Sequence, residues 1–371
     1  MILGTQGSAQ QSRRGYIRSE AVMRDLRPVH GGPNDPCHSQ SPRLASAGKG
    51  RWTMTETTLA SRAAYLIEVA GRAPSVHNTQ PWRFTVSRDA IELRADVSRR
   101  LTVDPDGREM VISCGAALYG LRLAVRSLGL LPDVDLLPGP RALARVRLGP
   151  PALMTAEERT MLAAVPHRHT HRGPFEPGPL PAGLVGRLKD DARAEGARLV
   201  VAGPAAVRRE LASIAAAAAR GQDRDPAARD ETRRWSHPAG DQARDGVPAH
   251  AFSAAPGREA WRLPRRDFDL GRGIGLLPAG GPTPAVTAVL LTADDGERDW
   301  LRAGQALHRL LLRAASRWVF ARLNSQPLEE AGARTQVRDC LAVPGSPQML
   351  LELGVSRTAH ATARRPATDL I

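Results

Sequence analysis

The chain has 371 residues, of which 42% are hydrophobic and 24% charged, so it can bury a core and is not disordered throughout. It carries 52 Lys and Arg against 38 Asp and Glu, a formal charge of +14, and its three cysteines exclude a disulfide scaffold. The cysteines lie far apart in the sequence, so their spacing does not predict a cysteine-based zinc site. No run approaches the ~20 apolar residues of a membrane-spanning helix.

Residues 1–53 lack a sustained apolar period and are rich in Gly, Ser, Pro, Gln and Arg. Such a composition cannot bury enough surface to offset the entropy of ordering the chain. No apolar stretch of roughly 7–15 residues follows the basic residues, so a secretory signal peptide is not predicted. We expect a disordered extension or a segment absent from the native protein, which would then start at Met54. The segment holds eight Lys or Arg against three Asp or Glu, so five of the +14 charges belong to it.

The rest of the chain mixes helical and strand periods. Helical patterns cover residues 59–70, 111–128, 184–195, 207–220, 300–320 and 329–341. Strand patterns cover residues 82–87, 90–96, 142–149, 197–202, 286–291 and 348–353. A region with several prolines, Pro150, Pro151 and Pro166, links two halves, residues 54–160 and 161–371.

Between residues 223 and 282 the pattern breaks down, because Gly, Pro and Arg are frequent and no period lasts. A loop of this length inside a compact domain is usually functional, as a lid is, or else disordered. We refer to residues 223–282 as the lid range.

The two long helices share an internal repeat at a fixed offset of 189 residues. Seven identities carry it: Asp106, Gly107, Gly115, Ala117, Leu118, Leu121 and Leu123 match Asp295, Gly296, Gly304, Ala306, Leu307, Leu310 and Leu312. One interpretation is two similar core helices, since Ala and Leu match easily. The other is a duplicated unit, in which one chain imitates a dimer.

Residues 73–84 read A-P-S-V-H-N-T-Q-P-W-R-F and form a turn between a helix and a strand. The amides of Asn78 and Gln80 offer both donors and acceptors, which suits the edge of a heterocycle. Taken alone, a helix end followed by a turn explains the pattern better.

Residues 168–172, here called the arm, read R-H-T-H-R. In an extended segment alternate side chains point the same way, so Arg168, Thr170 and Arg172 can converge. Two guanidiniums and a hydroxyl match phosphate oxygens well. The histidines at alternate positions, His167, His169 and His171, suggest a metal site instead. This alternative is disfavoured because no carboxylate or cysteine accompanies them and the arginines would repel a cation.

The 73–84 segment resembles the A-P-S-x-x-N-x-Q-P-W-R-F signature of FMN-dependent nitroreductase-like proteins. The arm resembles the R-R/H-S-x-R/K-x-F element that holds the FMN phosphate in that superfamily, although Thr170 replaces the usual Ser and one extra residue precedes Phe175. The usual order of the two elements is reversed here. Together with the repeat, this order is similar to the Acg-like branch, whose members are single-chain and pseudo-dimeric. The resemblance covers residues 59–371.

The resemblance implies an α+β nitroreductase-like fold, with two fused half-repeats around a mostly antiparallel sheet and the lid range as an insertion. It implies one FMN between the halves, with the chemistry at the flavin N5 and no side chain needed as acid or base. The residues implied at the cofactor are Ser75, His77, Asn78 and Gln80 near the ring, Arg168, Thr170 and Arg172 at the phosphate, and Arg364 or Arg365 assisting.

Three functions compete at this point. The first is an FMN oxidoreductase that uses NADH or NADPH to reduce a small organic acceptor, such as a nitro or quinone compound. The second is a flavin-sequestering or stress-related protein with little turnover. The third, a nucleic-acid binder, rests on charge alone, and the arginines are scattered among acids. We expect a cytoplasmic monomer that acts as a pseudo-dimer, with a small-molecule acceptor and neither nucleic acid nor membrane as a partner.

Overall fold

A computed structural model of the chain describes residues 57–254, 262–278 and 285–371. The predicted extension at residues 1–53 lies outside the described residues, as do 255–261 and 279–284 of the lid range. Helices and antiparallel sheets mix along the chain, which confirms the predicted α+β class. No helix of the described part is long and apolar enough to span a membrane.

The first half builds one sheet and three helices. Its elements are α1 (Thr57–Gly71), β1 (Trp82–Val86), β2 (Ala90–Ala95), α2 (Arg108–Ser127), β3 (Leu130–Gly139), β4 (Ala142–Pro151) and α3 (Ala156–Ala164). The strands form a four-stranded antiparallel sheet in the order β1-β2-β4-β3. The helix α2 is buried along most of its length, because α1 and the sheet cover it on one side and the second half covers it on the other.

The second half contains a second sheet and the lid range. Its elements are α4 (Leu184–Ala194), β5 (Arg198–Val201), α5 (Ala205–Arg224), α6 (Pro226–Arg234), β6 (Ser236–His237), β7 (Val247–Pro248), β8 (Val286–Thr292), α7 (Glu297–Ala315), β9 (Val319–Asn324), α8 (Gln326–Glu329), α9 (Ala331–Leu341) and β10 (Ser346–Val355). The order β5-β8-β10-β9 is again antiparallel throughout, and β6 pairs with β7 in parallel.

Strands β8 and β10 are buried on both faces. Leu290 and Leu351 belong to the core formed with α4 and α7, whereas Val289 and Leu350 face the opposite core formed with α5 and α9. This double burial explains the continuous apolar runs that predicted both strands.

Several predictions need correction. There are two four-stranded sheets, not one. The strand β3 was missed because Pro132 and alternating aspartates disguise it; proline is tolerated there because β3 lies at the sheet edge. The helix expected at residues 300–320 ends at Ala315, and Phe320 lies in β9, since an apolar run does not reveal where a buried helix yields to a buried strand. Helices α3, α6 and α8 were also not predicted.

The two halves share one topology. In each, a helix precedes a pair of antiparallel strands, a long buried helix follows, and two further strands complete the sheet in the same spatial order. The second half differs because residues 202–285 separate its first two strands, where the first half has a tight turn. This equivalence favours the duplicated unit over two merely similar helices.

The contact between α2 and α7 is reciprocal. A Cβ on Gly115 would collide with the backbone of Leu301, and a Cβ on Gly304 would collide with the backbone of Ile112. The offset of 189 residues relates Ile112 to Leu301 and Gly115 to Gly304. The repeat therefore makes the same contact in both directions, as two identical subunits do about a two-fold axis.

Candidate functional site

A cavity of about 960 Å³, counting its opening to solvent, lies between the two halves. Both halves and the lid range contribute to its wall. The lining residues are Pro74, Ser75, Val76, His77, Glu109, Ile112, Ser113, Ala116, Thr170, His171, Arg172, Phe252, Ser253, Pro264, Arg265, Arg266, Phe268, Leu307, Arg322, Leu323, Ser325 and Met349. The 73–84 segment and the arm, which lie far apart in sequence, thus meet at one cavity.

The 73–84 segment makes a tight loop after α1. The backbone N–H of Gln80 donates to Ser75 Oγ at 3.0 Å, which closes the loop. His77, Asn78 and Gln80 all have positive φ, between 49° and 57°, a conformation that costs about 1 kcal/mol or more for a residue with a side chain. Strain of this kind persists only where surrounding contacts hold it, and here it brings Ser75 and His77 to the cavity wall.

The side-chain amide nitrogens of Asn78 and Gln80 donate away from the cavity, Asn78 Oδ1 has no partner within the described residues, and neither residue lines the cavity. They tie the loop to the lid range and to the C-terminal tail. Their bonds run from Asn78 Nδ2 to Gly246 O (3.0 Å) and Ala363 O (3.1 Å), from Gln80 Nε2 to Arg244 O (2.8 Å), and from the Arg365 amide N to Gln80 Oε1 (2.9 Å).

The arm is extended along the edge of β9. Thr170 forms an isolated parallel bridge with Ala321, and the His171 amide N donates to Ala321 O at 2.8 Å. Thr170, His171 and Arg172 all line the cavity, so the lining does not follow the predicted alternation, and Arg168 is buried beyond the lining residues.

The histidines of the arm are packed against aromatic rings. His169 lies 4.3 Å from the Phe320 ring and His171 lies 4.7 Å from the Phe175 ring, measured between centroids. Burial lowers the pKa of His169 to about 3 and that of His171 to about 4, so both are neutral at pH 7. Within the described residues, no three His, Cys, Asp or Glu side chains are grouped to hold a metal ion.

Three arginines, of which Arg168 is buried and Arg172 and Arg364 are half-buried, form a cationic cluster without a carboxylate among the described residues. Arg168, Arg172 and Arg364 make no ion pair within the described part of the chain, and bond to backbone carbonyls and the Thr362 hydroxyl. Arg168 Nε and Nη1 and Arg364 Nε have no partner there. Burial lowers the pKa of Arg168 and of Arg172 to about 10, and burial followed by the charge of Arg168 lowers that of Arg364 well below its usual range.

The neighbouring Arg365 lies elsewhere. Its Nη2 donates to Asp369 O at 2.5 Å, and its pKa is lowered by burial and by Arg99 rather than by the cluster. Of the two C-terminal arginines predicted to assist at a phosphate, the structure brings only Arg364 to Arg168 and Arg172.

The lid range closes over this side of the cavity through side-chain contacts. Arg266 Nη1 lies 3.3 Å from His77 Nε2, and Arg266 Nη2 donates to Glu329 Oε1 at 2.6 Å. The Phe268 ring meets His77 edge-on at 5.4 Å, and the Arg172 guanidinium lies 5.2 Å from the Phe268 centroid. Burial and the charge of Arg266 lower the pKa of His77 well below its usual value, so His77 is neutral and can accept from Arg266.

Sequence reasoning missed two acids at this site, Glu109 and Glu329. Glu109 lines the cavity at the first turn of α2, and Glu329 holds Arg266. An acid in the first turn is ordinary in a helix, so the pattern gave no signal. Only the packing of α2 into the interior distinguishes Glu109 from a solvated residue.

No family model matches the chain. Relatives are found in Mycobacterium tuberculosis. The protein named "Putative NAD(P)H nitroreductase Rv3131" (strain ATCC 25618 / H37Rv) is 34% identical over 318 residues, covering 83% of this chain and 89% of that protein. The protein named "Putative NAD(P)H nitroreductase acg" from the same strain is 27% identical over 326 residues, covering 86% and 96%. A crystal structure of a nitroreductase with bound FMN from Desulfitobacterium hafniense DCB-2 aligns with a TM-score of 0.35 and 14% identity, over 59% of this chain and 98% of that one.

Proposed function

Because the chain belongs to the Acg-like branch of the nitroreductase superfamily, we propose that it binds one FMN and passes electrons through it to a small organic acceptor. The observation that carries this proposal is the cluster of Arg168, Arg172 and Arg364 beside the cavity. The flavin, when bound, supplies hydride and electron transfer, and NADH or NADPH is the proposed reductant.

The arginine cluster fits a phosphate group. A buried charge without a partner is unfavourable by several kcal/mol, and a phosphate dianion offsets several cations at once. Among the described residues, two nitrogen atoms of Arg168 and one of Arg364 have no partner, so donors for such a group are available. Guanidinium forks match phosphate oxygens two at a time, and the Thr170 hydroxyl adds a further donor from the same arm.

The cavity fits the ring system beside that phosphate. Ser75 and His77 line it and would border the flavin ring. Asn78 and Gln80 were expected at the ring edge. Their side-chain amides hold the loop to the lid range and the tail, so these residues would support the loop rather than contact the ring. The shared topology of the two halves supports residues 54–160 and 161–371 as fused copies, so that one chain serves as a pseudo-dimer.

One feature favours the second candidate, flavin sequestration with little turnover. Arg266 bonds to Glu329 and contacts His77, while Phe268 packs on both His77 and Arg172, so the lid range is anchored over the site. A closed lid restricts a nicotinamide donor. Anaerobic stopped-flow mixing of the FMN-loaded protein with NADH or NADPH separates the two candidates: bleaching within seconds indicates an oxidoreductase, and bleaching over hours indicates sequestration.

The basic charge supports the small phosphate ligand better than nucleic acid. A nucleic-acid backbone needs cations on an accessible surface. The cluster of Arg168, Arg172 and Arg364 is instead buried or half-buried at the cavity.

The test is FMN affinity, measured by flavin fluorescence quenching. We expect Arg168→Ala combined with Arg172→Ala to weaken FMN binding by about 30-fold to 1,000-fold, because two charge-assisted contacts to the phosphate are lost. Arg365→Ala is the control, since it removes one arginine charge outside the cluster, and its affinity should change less than about 3-fold. An unchanged affinity in the double variant would refute the arginine clamp.

A further inference from the structure

The acid Glu109 occupies an unusual position in the cavity wall. It is 2% exposed, and its only side-chain bond within the described residues is from Arg108 Nη2 to Oε1, at 3.1 Å. The other carboxyl oxygen, Oε2, has no partner there. A buried ionised oxygen without a hydrogen bond is strongly unfavourable, whereas a protonated one can act as a donor.

The charged groups around Glu109 are occupied by other bonds. Arg108 also donates to the Gln348 side chain and to the carbonyls of Gln348 and Leu328, so its charge is shared among several acceptors. Asp104 accepts from the amides of Glu109 and Met110 and so caps α2. The remaining acid, Glu329, is held by Arg266. Within the described residues, none of these groups reaches Glu109 Oε2.

The balance of these surroundings favours the neutral acid. Burial is the largest cause that raises the pKa of Glu109 well above its usual range, the charges of Glu329 and Asp104 act in the same direction, and Arg108 and Arg266 oppose them. In the neutral form the carbonyl oxygen accepts from Arg108 and the hydroxyl is left for another partner. The structure agrees with this division, because Oε1 accepts from Arg108 and Oε2 has no partner within the described residues.

We propose that Glu109 is the proton donor of the cavity, and that its Oε2–H binds an oxygen of the electron acceptor and delivers a proton to it. This inference rests on the proposed function, and it departs from the expectation that no side chain acts as an acid. It assigns the acceptor to compounds that carry a hydrogen-bond-accepting oxygen on a reducible group, as quinones and nitro compounds do.

The proton count of the reaction leaves one proton to be supplied besides the hydride. A quinone becomes a hydroquinone by gaining two electrons and two protons, and a hydride from the bound reductant supplies both electrons and one proton. The second proton passes from Glu109 Oε2 to the acceptor oxygen, which leaves Glu109 as a carboxylate. Glu109 also borders a second, smaller cavity of about 190 Å³, lined in part by Asp104 and Thr79, through which a solvent proton can return.

The test compares Glu109→Gln, which keeps the size and a donor but cannot release a proton, with Glu195→Gln. Glu195 is similarly buried but accepts from two arginines, Arg122 and Arg309. In the FMN-free protein at pH 7, we expect the infrared band of a protonated carboxyl, its loss in Glu109→Gln and its retention in Glu195→Gln. In the loaded protein, Glu109→Gln should keep FMN affinity and lose about 100-fold or more in kcat for a quinone.

The pH profile gives a second measure. The rate of the wild-type protein should fall as pH rises through the folded-state pKa of Glu109, and Glu109→Gln should lack that limb. A carboxyl band that persists in Glu109→Gln, or a quinone rate within about 3-fold of wild type, would overturn the proposal. Failure of the wild-type protein to bind FMN would instead refute the proposed function, while the infrared band would still report on the proton of Glu109.

Discussion

The two sides of the α2–α7 interface differ although they are built from the same repeat. Tyr119 and His308 are related by the 189-residue offset, and their rings meet at 5.9 Å between centroids. Around Tyr119 the arginines have acidic partners: Arg309 donates to Asp191 and Glu195, each at 2.9 Å. Around His308 lie Arg168 and Arg364, which have none within the described residues.

The difference shows how a duplicated scaffold can keep one anion site and close the other. Asp191 of α4 and Glu195, which directly follows α4, form ion pairs with Arg309. On the opposite side no acid of the described residues fulfils that role, which agrees with the anion from outside the chain that we propose. The asymmetry therefore supports one phosphate ligand per chain rather than two.

The largest effect is expected where the two halves touch. Gly304→Ala should lower the free energy of unfolding by about 3 kcal/mol or more, because the new Cβ collides with the backbone of α2. Gly186→Ala is the control, since its Cβ would meet no atom within 4 Å, and it should stabilise α4 by about 0.5–1 kcal/mol. Urea unfolding measures both. Equal effects would show that the halves are not in close contact at Gly304.

The next effect concerns the ion-paired side. Asp191→Asn should destabilise the fold by about 2–3 kcal/mol, because it leaves Arg309 and Arg313 without a buried carboxylate that both contact. FMN affinity should stay within about 3-fold of wild type, since the cluster at Arg168 is untouched. Weakened FMN binding with unchanged stability would reverse the roles that we assign to the two sides.

The smallest expected effect distinguishes His308 from Tyr119, whose rings meet at the α2–α7 interface. Burial lowers the pKa of His308 to about 3, so its stabilising effect is complete above its unfolded-state pKa and is lost as pH falls below about 6.5. Between pH 7 and pH 5 the difference in unfolding free energy between wild type and His308→Gln should shrink by about 2 kcal/mol. Burial raises the pKa of Tyr119, so the corresponding difference for Tyr119→Phe should stay constant. Parallel changes in both would refute this assignment.

The sequence predicted the elements that have a clear period or a specific motif. The long helices and the β1–β2 hairpin follow from apolar spacing, and the meeting of the 73–84 segment with the arm at one cavity is what the family resemblance of the two motifs implies. The directions in which individual side chains point could not be predicted in the same way. Asn78 and Gln80 turn to backbone partners because three positive φ values redirect the loop, and no residue type at those positions demands that conformation.

Other features depend on contacts between distant parts of the chain. Glu109 looks like an ordinary charged residue until packing removes its solvent. Arg309 pairs with acids of α4 and its C-terminal end, whereas Arg168 has no such partner in the described part of the chain. This difference depends on which helices meet in the fold. Single-sequence patterns report local periods, so they cannot distinguish a cation with an internal partner from one that needs a ligand.

The reciprocal glycines have an evolutionary consequence. In a homodimer every substitution enters both subunits at once, so neither site can change alone. Here the offset relates Gly120 of α2 to Arg309 of α7, and Ala124 to Arg313, so the two copies have diverged away from the contact while Gly115 and Gly304 still match. Fusion into one chain lets selection act on each copy separately, so one site can be lost without harm to the other.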